Sequence, residues 1–171
     1  MSGIEHRKEA PKRLHVAVLV ISDTRAQKMR EGQDEDVSGK LIEKKFQVAG
    51  CTTTRLIVPD DAKQIRDVVK KFIADPKVDA VIATGGTGIT ARDVTIETLA
   101  PMFEKELQGF GEILRHIGYE KVGGPALLTR ATAGLIKRKP VFCLPGAPNA
   151  VEVAIGLILP DLGHIVKHAR E

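Results

Sequence analysis

Residues 79–88 read DAVIATGGTG, a strand-like segment from Asp79 to Thr84 that runs straight into Gly85-Gly86-Thr87-Gly88. Apolar residues in unbroken succession mark a strand buried on both faces, the usual condition in a parallel sheet. Glycines at its end let the backbone come close to a ligand. Working outward, Leu14 to Ile21 (LHVAVLVI) repeats the pattern; Thr52 to Val58, which stops at Pro59, and Pro140 to Leu144 also read as strands. Between them lie helical patterns. Asp36-Val37-Ser38-Gly39 opens one helix, with Leu41, Ile42 and Phe46 at helical spacing and Gly50 as its stop. Asp60 or Asp61 caps the next, in which Ile65, Val68, Val69, Phe72 and Ile73 follow the i, i+3, i+4, i+7, i+8 pattern until Asp75-Pro76.

Further on, the spacing predicts a helix from about Val94, then a less regular region through Gly109, Gly111 and Gly118. Leu127 to Ile136 reads as helical, and a long final helix after Pro148 is interrupted by Pro160. Gln27 to Glu35, rich in charge, reads as an exposed loop. Strands alternating with crossover-length helical segments predict an α/β fold, a three-layer αβα arrangement with a mainly parallel sheet and helices on both faces. Residues 14–171 form a single domain on this reading, preceded by a charged N-terminal arm over residues 1–13 that has no apolar run and is not a secretory signal.

Composition narrows the function. A chain of 171 residues with 43% hydrophobic and 28% charged residues is a globular protein with a real core, not a disordered or fibrous one. The net charge of +4 is too mild to indicate a polyanion partner, and with no Trp and one Tyr the chain lacks stacking platforms for single strands. Nucleic acid is therefore not expected as a partner. No segment approaches the roughly 20 apolar residues of a membrane span, so neither is a membrane, and the expected location is the cytoplasm. Cys51 and Cys143 read as buried reduced thiols, and the five histidines lack zinc spacing.

Ligands of an open parallel sheet bind beyond the carboxyl ends of its strands. Here those ends carry Ser22-Asp23, Pro59-Asp60-Asp61, Thr84 to Gly88 and Leu144-Pro145-Gly146. In Thr84 to Glu97 (TGGTGITARDVTIE), glycine amides can point at anionic oxygens, Thr87 and Thr90 add hydroxyls, and Asp93 is placed to hold Mg²⁺ beside a phosphate. The segment is neither a Walker A loop nor the GxGxxG fingerprint. Glu97 either shares the face of Asp93 or is an ordinary first-turn acid. Arg92 and Arg130 either meet a phosphate or are surface residues, and Lys137-Arg138-Lys139 is a solvated turn or a steering patch.

The string TGGTGITARDVT resembles the signature of the MoaB/MogA family of molybdenum cofactor biosynthesis proteins, a fold also found in the G domain of gephyrin. The resemblance takes in Val20-Ile21-Ser22-Asp23, Asp36-Val37-Ser38-Gly39, Val58-Pro59-Asp60, Gly109-Phe110-Gly111-Glu112 and Leu144-Pro145-Gly146-Ala147-Pro148-Asn149-Ala150, in the family's order and over nearly the whole chain. Where many relatives have Thr-Pro-Glu or Thr-Pro-Asp after the aspartate, this chain has Thr95-Ile96-Glu97.

The resemblance implies an enzyme that binds molybdopterin and transfers AMP from ATP to its terminal phosphate, releasing pyrophosphate and preparing the pterin for molybdate or tungstate. It implies Mg²⁺ as cofactor, with ATP and molybdopterin as substrates. It implies a homo-oligomer, trimer or hexamer, with other cofactor-biosynthesis proteins as further partners. By position, Asp93 and Asp60 would be the catalytic and metal-holding carboxylates, leaving Asp61 as the helix cap, although those two roles are exchangeable. Gly85, Gly86, Thr87, Gly88 and Thr90 would cradle phosphate; Ser22, Asp23 and Glu97 would line the pocket; Pro145, Gly146 and Asn149 would form the pterin-side wall. The alternative within the same family is a molybdopterin carrier or scaffold without catalysis.

Overall fold

A computed structural model describes residues 13–171; the arm expected over residues 1–13 lies almost wholly outside them. In chain order the elements are β1 (His15–Ile21), α1 (Asp23–Arg30), α2 (Val37–Val48), β2 (Thr52–Val58), α3 (Ala62–Ala74), β3 (Ala80–Thr84), α4 (Thr95–Leu99), β4 (Lys105–Glu106), α5 (Gln108–Val122), β5 (Thr132–Ile136), β6 (Lys139–Leu144), α6 (Pro148–Ile158) and α7 (Leu162–Arg170). Short 3₁₀ turns follow α4 and α5, at Ala100–Met102 and Gly124–Leu128.

The strands form one six-stranded sheet in the order β2-β1-β3-β6-β5-β4. The first four are mutually parallel, while β5 runs antiparallel to both β6 and β4. Alternation along β1 divides the core in two. Val16, Val18 and Val20 pack with Ile42 and Phe46 of α2 and with Val151, Ile155 and Ile158 of α6. On the other face Ala17, Leu19 and Ile21 pack with Ile65, Val69 and Phe72 of α3. Burying both faces of β1 and β3 is why these strands read as continuous apolar runs. The three-layer αβα expectation is met.

Three local expectations are not. Gln27 to Glu35 is not all loop: α1 reaches Arg30, capped by Ser22, whose Oγ accepts from the Arg25 amide at 3.4 Å. Only Ala26 of this helix is buried, so no apolar stripe advertises it. The glycine-bearing region is the 15-residue α5, where a Cβ on Gly111 would stand 2.6 Å from the Ala131 carbonyl oxygen. Gly111 is therefore there for close approach to the strand, not as a breaker. Leu127 to Ile136, read as helical, is instead the end of a 3₁₀ turn followed by β5. A two-residue turn at Lys137 and Arg138, both at positive φ, returns β5 to β6. That places the basic cluster at the amino end of β6, the opposite end of the sheet from the glycine loop. Pro160 does separate α6 from α7, which meet at 60°. Among the described residues no single helix is long and apolar enough to cross a membrane.

Candidate active site

Because β1, β2, β3 and β6 are parallel, their carboxyl ends share one edge. The chain moves from β1 to β2 on one side and then to β3 on the other, so the topological switch point lies between β1 and β3. A cavity of about 490 Å³ opens there. Its floor is Ile21 and Ser22 from the end of β1, with Gly85, Gly86, Thr87 and Gly88 from the loop after β3. Asp60, Asp93, Arg25 and Arg130 bring charge to it, and Pro145, Gly146, Ala147 and Ala150 close one wall.

The glycine loop is fixed by its neighbours. The Gly85 amide donates to the Leu144 carbonyl at 3.1 Å, Thr84 Oγ1 donates to the Pro145 carbonyl at 2.9 Å, and Thr95 Oγ1 donates to the Gly85 carbonyl at 2.8 Å. Gly85 sits at φ +97°, and a Cβ there would lie 2.2 Å from the Ile21 carbonyl oxygen. Gly86, at φ +59°, has room for no side chain between Thr95 and Asp60. Glycine is required at both on conformation and space alike. Among the described residues the amides of Gly86 and Thr87 have no hydrogen-bond acceptor, so they remain open to an anionic ligand.

Asp61, not Asp60, caps α3: its Oδ1 accepts from the Gln64 amide at 2.8 Å. Asp60 is thereby left to face the cavity. Its carboxyl is pushed above the ordinary aspartate value, first by burial and then by the negative charges of Asp23 and Asp93. Asp93 shifts the other way, held low chiefly by the Thr90 hydroxyl, which donates to Oδ2 at 2.6 Å beside the Thr90 amide at 2.9 Å. Two carboxylates of opposite bias thus meet one cavity from two strand ends.

The DVSG segment buttresses this edge. Asp36 is fully buried, accepts from the Gly39 amide at 2.9 Å and pairs with Arg55 at 2.7 Å. Ser38 Oγ donates to the Gly146 carbonyl at 2.7 Å, which holds the loop after β6 against α2.

Four residues expected at the site stand outside the cavity lining: Asp23, Thr90, Glu97 and Asn149. Asp23 is bonded to Asp60, Thr90 to Asp93, and Glu97 to Arg130, whose guanidinium holds the Glu97 carboxyl low. Asn149 is exposed, and its Oδ1 accepts from the Ala150 amide at 2.9 Å. Sequence reasoning missed Arg25 and Thr129 and left Arg130 undecided. The signal for the last two was the direction of β5: an antiparallel partner of β6 starts where β6 ends, so Thr129 and Arg130 reach the ligand edge. A second polar cleft of about 500 Å³, lined by Gln108, Glu112 and Arg115 of α5, adjoins the first and shares Thr129 and Arg130 with it.

Among the described residues no cluster of three or more His, Cys, Asp or Glu is arranged to hold a metal ion. An all-oxygen pair such as Asp60 and Asp93 instead suits a divalent cation that takes its remaining ligands from water and substrate phosphate, as Mg²⁺ does.

Comparison with known proteins adds the family. Residues 17–164 match the family model described as "probable molybdopterin binding domain". The chain is 45% identical over 168 residues to molybdenum cofactor biosynthesis protein B of Bacillus anthracis, covering 96% of each chain. It is 44% identical over 171 residues to a molybdopterin adenylyltransferase of Pyrococcus furiosus, covering 98% of each. The crystal structure of a tungsten cofactor synthesizing protein from the same organism superposes with a TM-score of 0.83 at 43% identity, covering 95% of this chain and 100% of that one.

Proposed function

Since the chain belongs to the MoaB/MogA family of molybdenum cofactor biosynthesis proteins, we propose that it is a molybdopterin adenylyltransferase whose reaction takes place in the cavity beyond β1 and β3. The observation that carries this reading is the meeting of Asp60, Asp93 and the unpartnered glycine-loop amides around one cavity at the switch point. The near full-length identity to a relative named for that activity supports it.

The substrates are ATP and molybdopterin. An oxygen of the pterin's terminal phosphate attacks the α-phosphorus of ATP; the new P–O bond forms as the α–β anhydride bond breaks, and pyrophosphate leaves with the electron pair. The nucleophile comes from the substrate, so no activated Ser or Cys is needed. The chain's work is positioning and charge neutralisation. The amides of Gly86 and Thr87 receive phosphate oxygens. Asp60 and Asp93 would hold Mg²⁺ brought with the nucleotide, and the ion would supply neutralisation of phosphate charge. Pro145 and Gly146, backed by Ser38, shape the wall. Two clefts meeting at Thr129 and Arg130 suit a reaction that joins two large anionic substrates.

The working protein on this reading is a cytoplasmic homo-oligomer, trimer or hexamer, of one domain per chain. Self-association is supported by Tyr119 and Val122 of α5 and by Leu127 and Leu128 after it, all exposed. Pure protein incubated with molybdopterin, ATP and Mg²⁺ should release pyrophosphate only when the pterin is present. Tight pterin binding without pyrophosphate would make the chain a carrier.

A further inference from the structure

Two cations line the cavity, Arg25 and Arg130, and they are engaged differently. Arg130 uses Nη1 to donate to the Gly88 carbonyl at 2.8 Å and Nη2 to bind Glu97. Both arms of its fork are taken. Arg25 turns its Nε toward Asp36 Oδ1 at 3.8 Å, and among the described residues neither of its Nη atoms has a hydrogen-bond partner. Its side chain is one-third exposed, whereas Asp36 is fully buried. Asp36 is itself immobilised by the Gly39 amide and by Arg55, which also binds Asp34 and Glu43. The Arg25 guanidinium thus stands with one edge in ion-pair range of a fixed, buried carboxylate, and its Nη atoms are unpartnered at a cavity with two uncommitted backbone amides.

A planar fork steered by a buried carboxylate on one side and unpaired on the other fits a tetrahedral oxyanion, because two parallel N–H groups match two phosphate oxygens. Arg92 does not compete for this role: it is 85% exposed and lies 4.0 Å from Asp23. We infer that Arg25 is the phosphate-binding cation of the site, with buried Asp36 as the residue that positions it. This rests on the adenylyltransferase reading and deepens it. The phosphate belongs either to the nucleotide or to the pterin, and the two arms of the test tell them apart.

The experiment measures binding of ATP with Mg²⁺ by calorimetry and of molybdopterin by fluorescence, in the wild type and in Arg25→Ala, Arg25→Lys, Asp36→Asn and the Arg25→Ala/Asp36→Asn double variant. Thermal unfolding of each variant reports whether it is folded. Loss of a charge-assisted pair predicts weakening by about ten- to a hundredfold in Arg25→Ala, with partial recovery in Arg25→Lys. Weakening toward ATP alone assigns the nucleotide phosphates, toward molybdopterin alone the pterin phosphate; either supports the inference. Asp36→Asn should weaken the same ligand and add nothing further in the Arg25→Ala background, which a merely structural aspartate would not do. If Asp36→Asn fails to fold, Arg25→Ala and Arg25→Lys still decide the point. Wild-type affinity for both ligands in Arg25→Ala overturns the inference alone. A wild type that binds neither ligand overturns the adenylyltransferase reading and the inference with it.

Discussion

Asp23 and Asp60 hold each other through a reciprocal pair of bonds: Asp60 Oδ2 accepts from the Asp23 amide at 3.0 Å, and Asp23 Oδ1 accepts from the Asp60 amide at 3.0 Å. The ends of β1 and β2 are thereby locked together, and the Asp60 carboxylate is oriented although its surroundings disfavour its charge. Asp60→Asn preserves the acceptor for Asp23 and removes that electrostatic penalty. The expected outcome is an unfolding temperature equal to or above wild type, with adenylyl transfer reduced at least about a hundredfold. Calorimetric melting and a turnover assay check both halves; a parallel fall in stability would mean that Asp60 is structural.

Thr90 orients the Asp93 carboxylate as Asp23 orients that of Asp60, but its hydroxyl lowers the carboxyl where the Asp23 charge raises it. Asp93→Asn should abolish transfer while leaving molybdopterin binding intact, and chelating Mg²⁺ should reproduce that phenotype in the wild type. Thr90→Val removes the hydroxyl that most lowers the Asp93 carboxyl, so the pH below which transfer fails should move upward. A pH profile that superposes on wild type would contradict that assignment.

Ser38 is almost fully buried, and its hydroxyl answers the Gly146 carbonyl. Ser38→Ala leaves that carbonyl without its partner and should cost about 1–3 kcal/mol in urea unfolding. Since Gly146 lines the cavity, pterin affinity should fall with it. Unchanged stability would contradict a holding role for this bond.

Acid should probe the ion cluster around Arg55. Arg55 holds the Asp34 carboxyl at about 2, against an ordinary value of 3.8. The folded protein therefore binds this proton less readily than the unfolded chain. The contribution is fully present above the unfolded value and is lost as pH falls through about 2. Melting temperatures between pH 4 and 2 should fall less steeply for Asp34→Asn than for wild type; equal slopes would contradict the pairing.

What was legible in the sequence followed burial. β1 and β3 are covered on both faces, so their apolar runs named them, and α3, with one apolar stripe, was equally plain. α1 buries only Ala26 and left no stripe. β5 is five residues long and contains Gly134, where a Cβ would stand 2.3 Å from the Phe103 ring; that packing is tertiary and invisible in the local pattern. The consequences reached the site. Misreading those two elements hid Arg25 and Thr129 and left Arg130 unresolved, whereas the residues carried by glycine and aspartate chemistry at β1, β2 and β3 fell at one edge. Asp23, Thr90 and Glu97 were expected in the pocket and instead bind the residues that line it.

Adenylyl transfer is the reaction proposed for this cavity. The most direct measurement incubates the pure protein with molybdopterin, Mg²⁺ and ATP labelled at its α-phosphate, and follows the label by chromatography and mass. The expected result is label in an adenylylated pterin, formed by the wild type and not by Asp93→Asn. Molybdopterin bound by the wild type with all label remaining in ATP would contradict it.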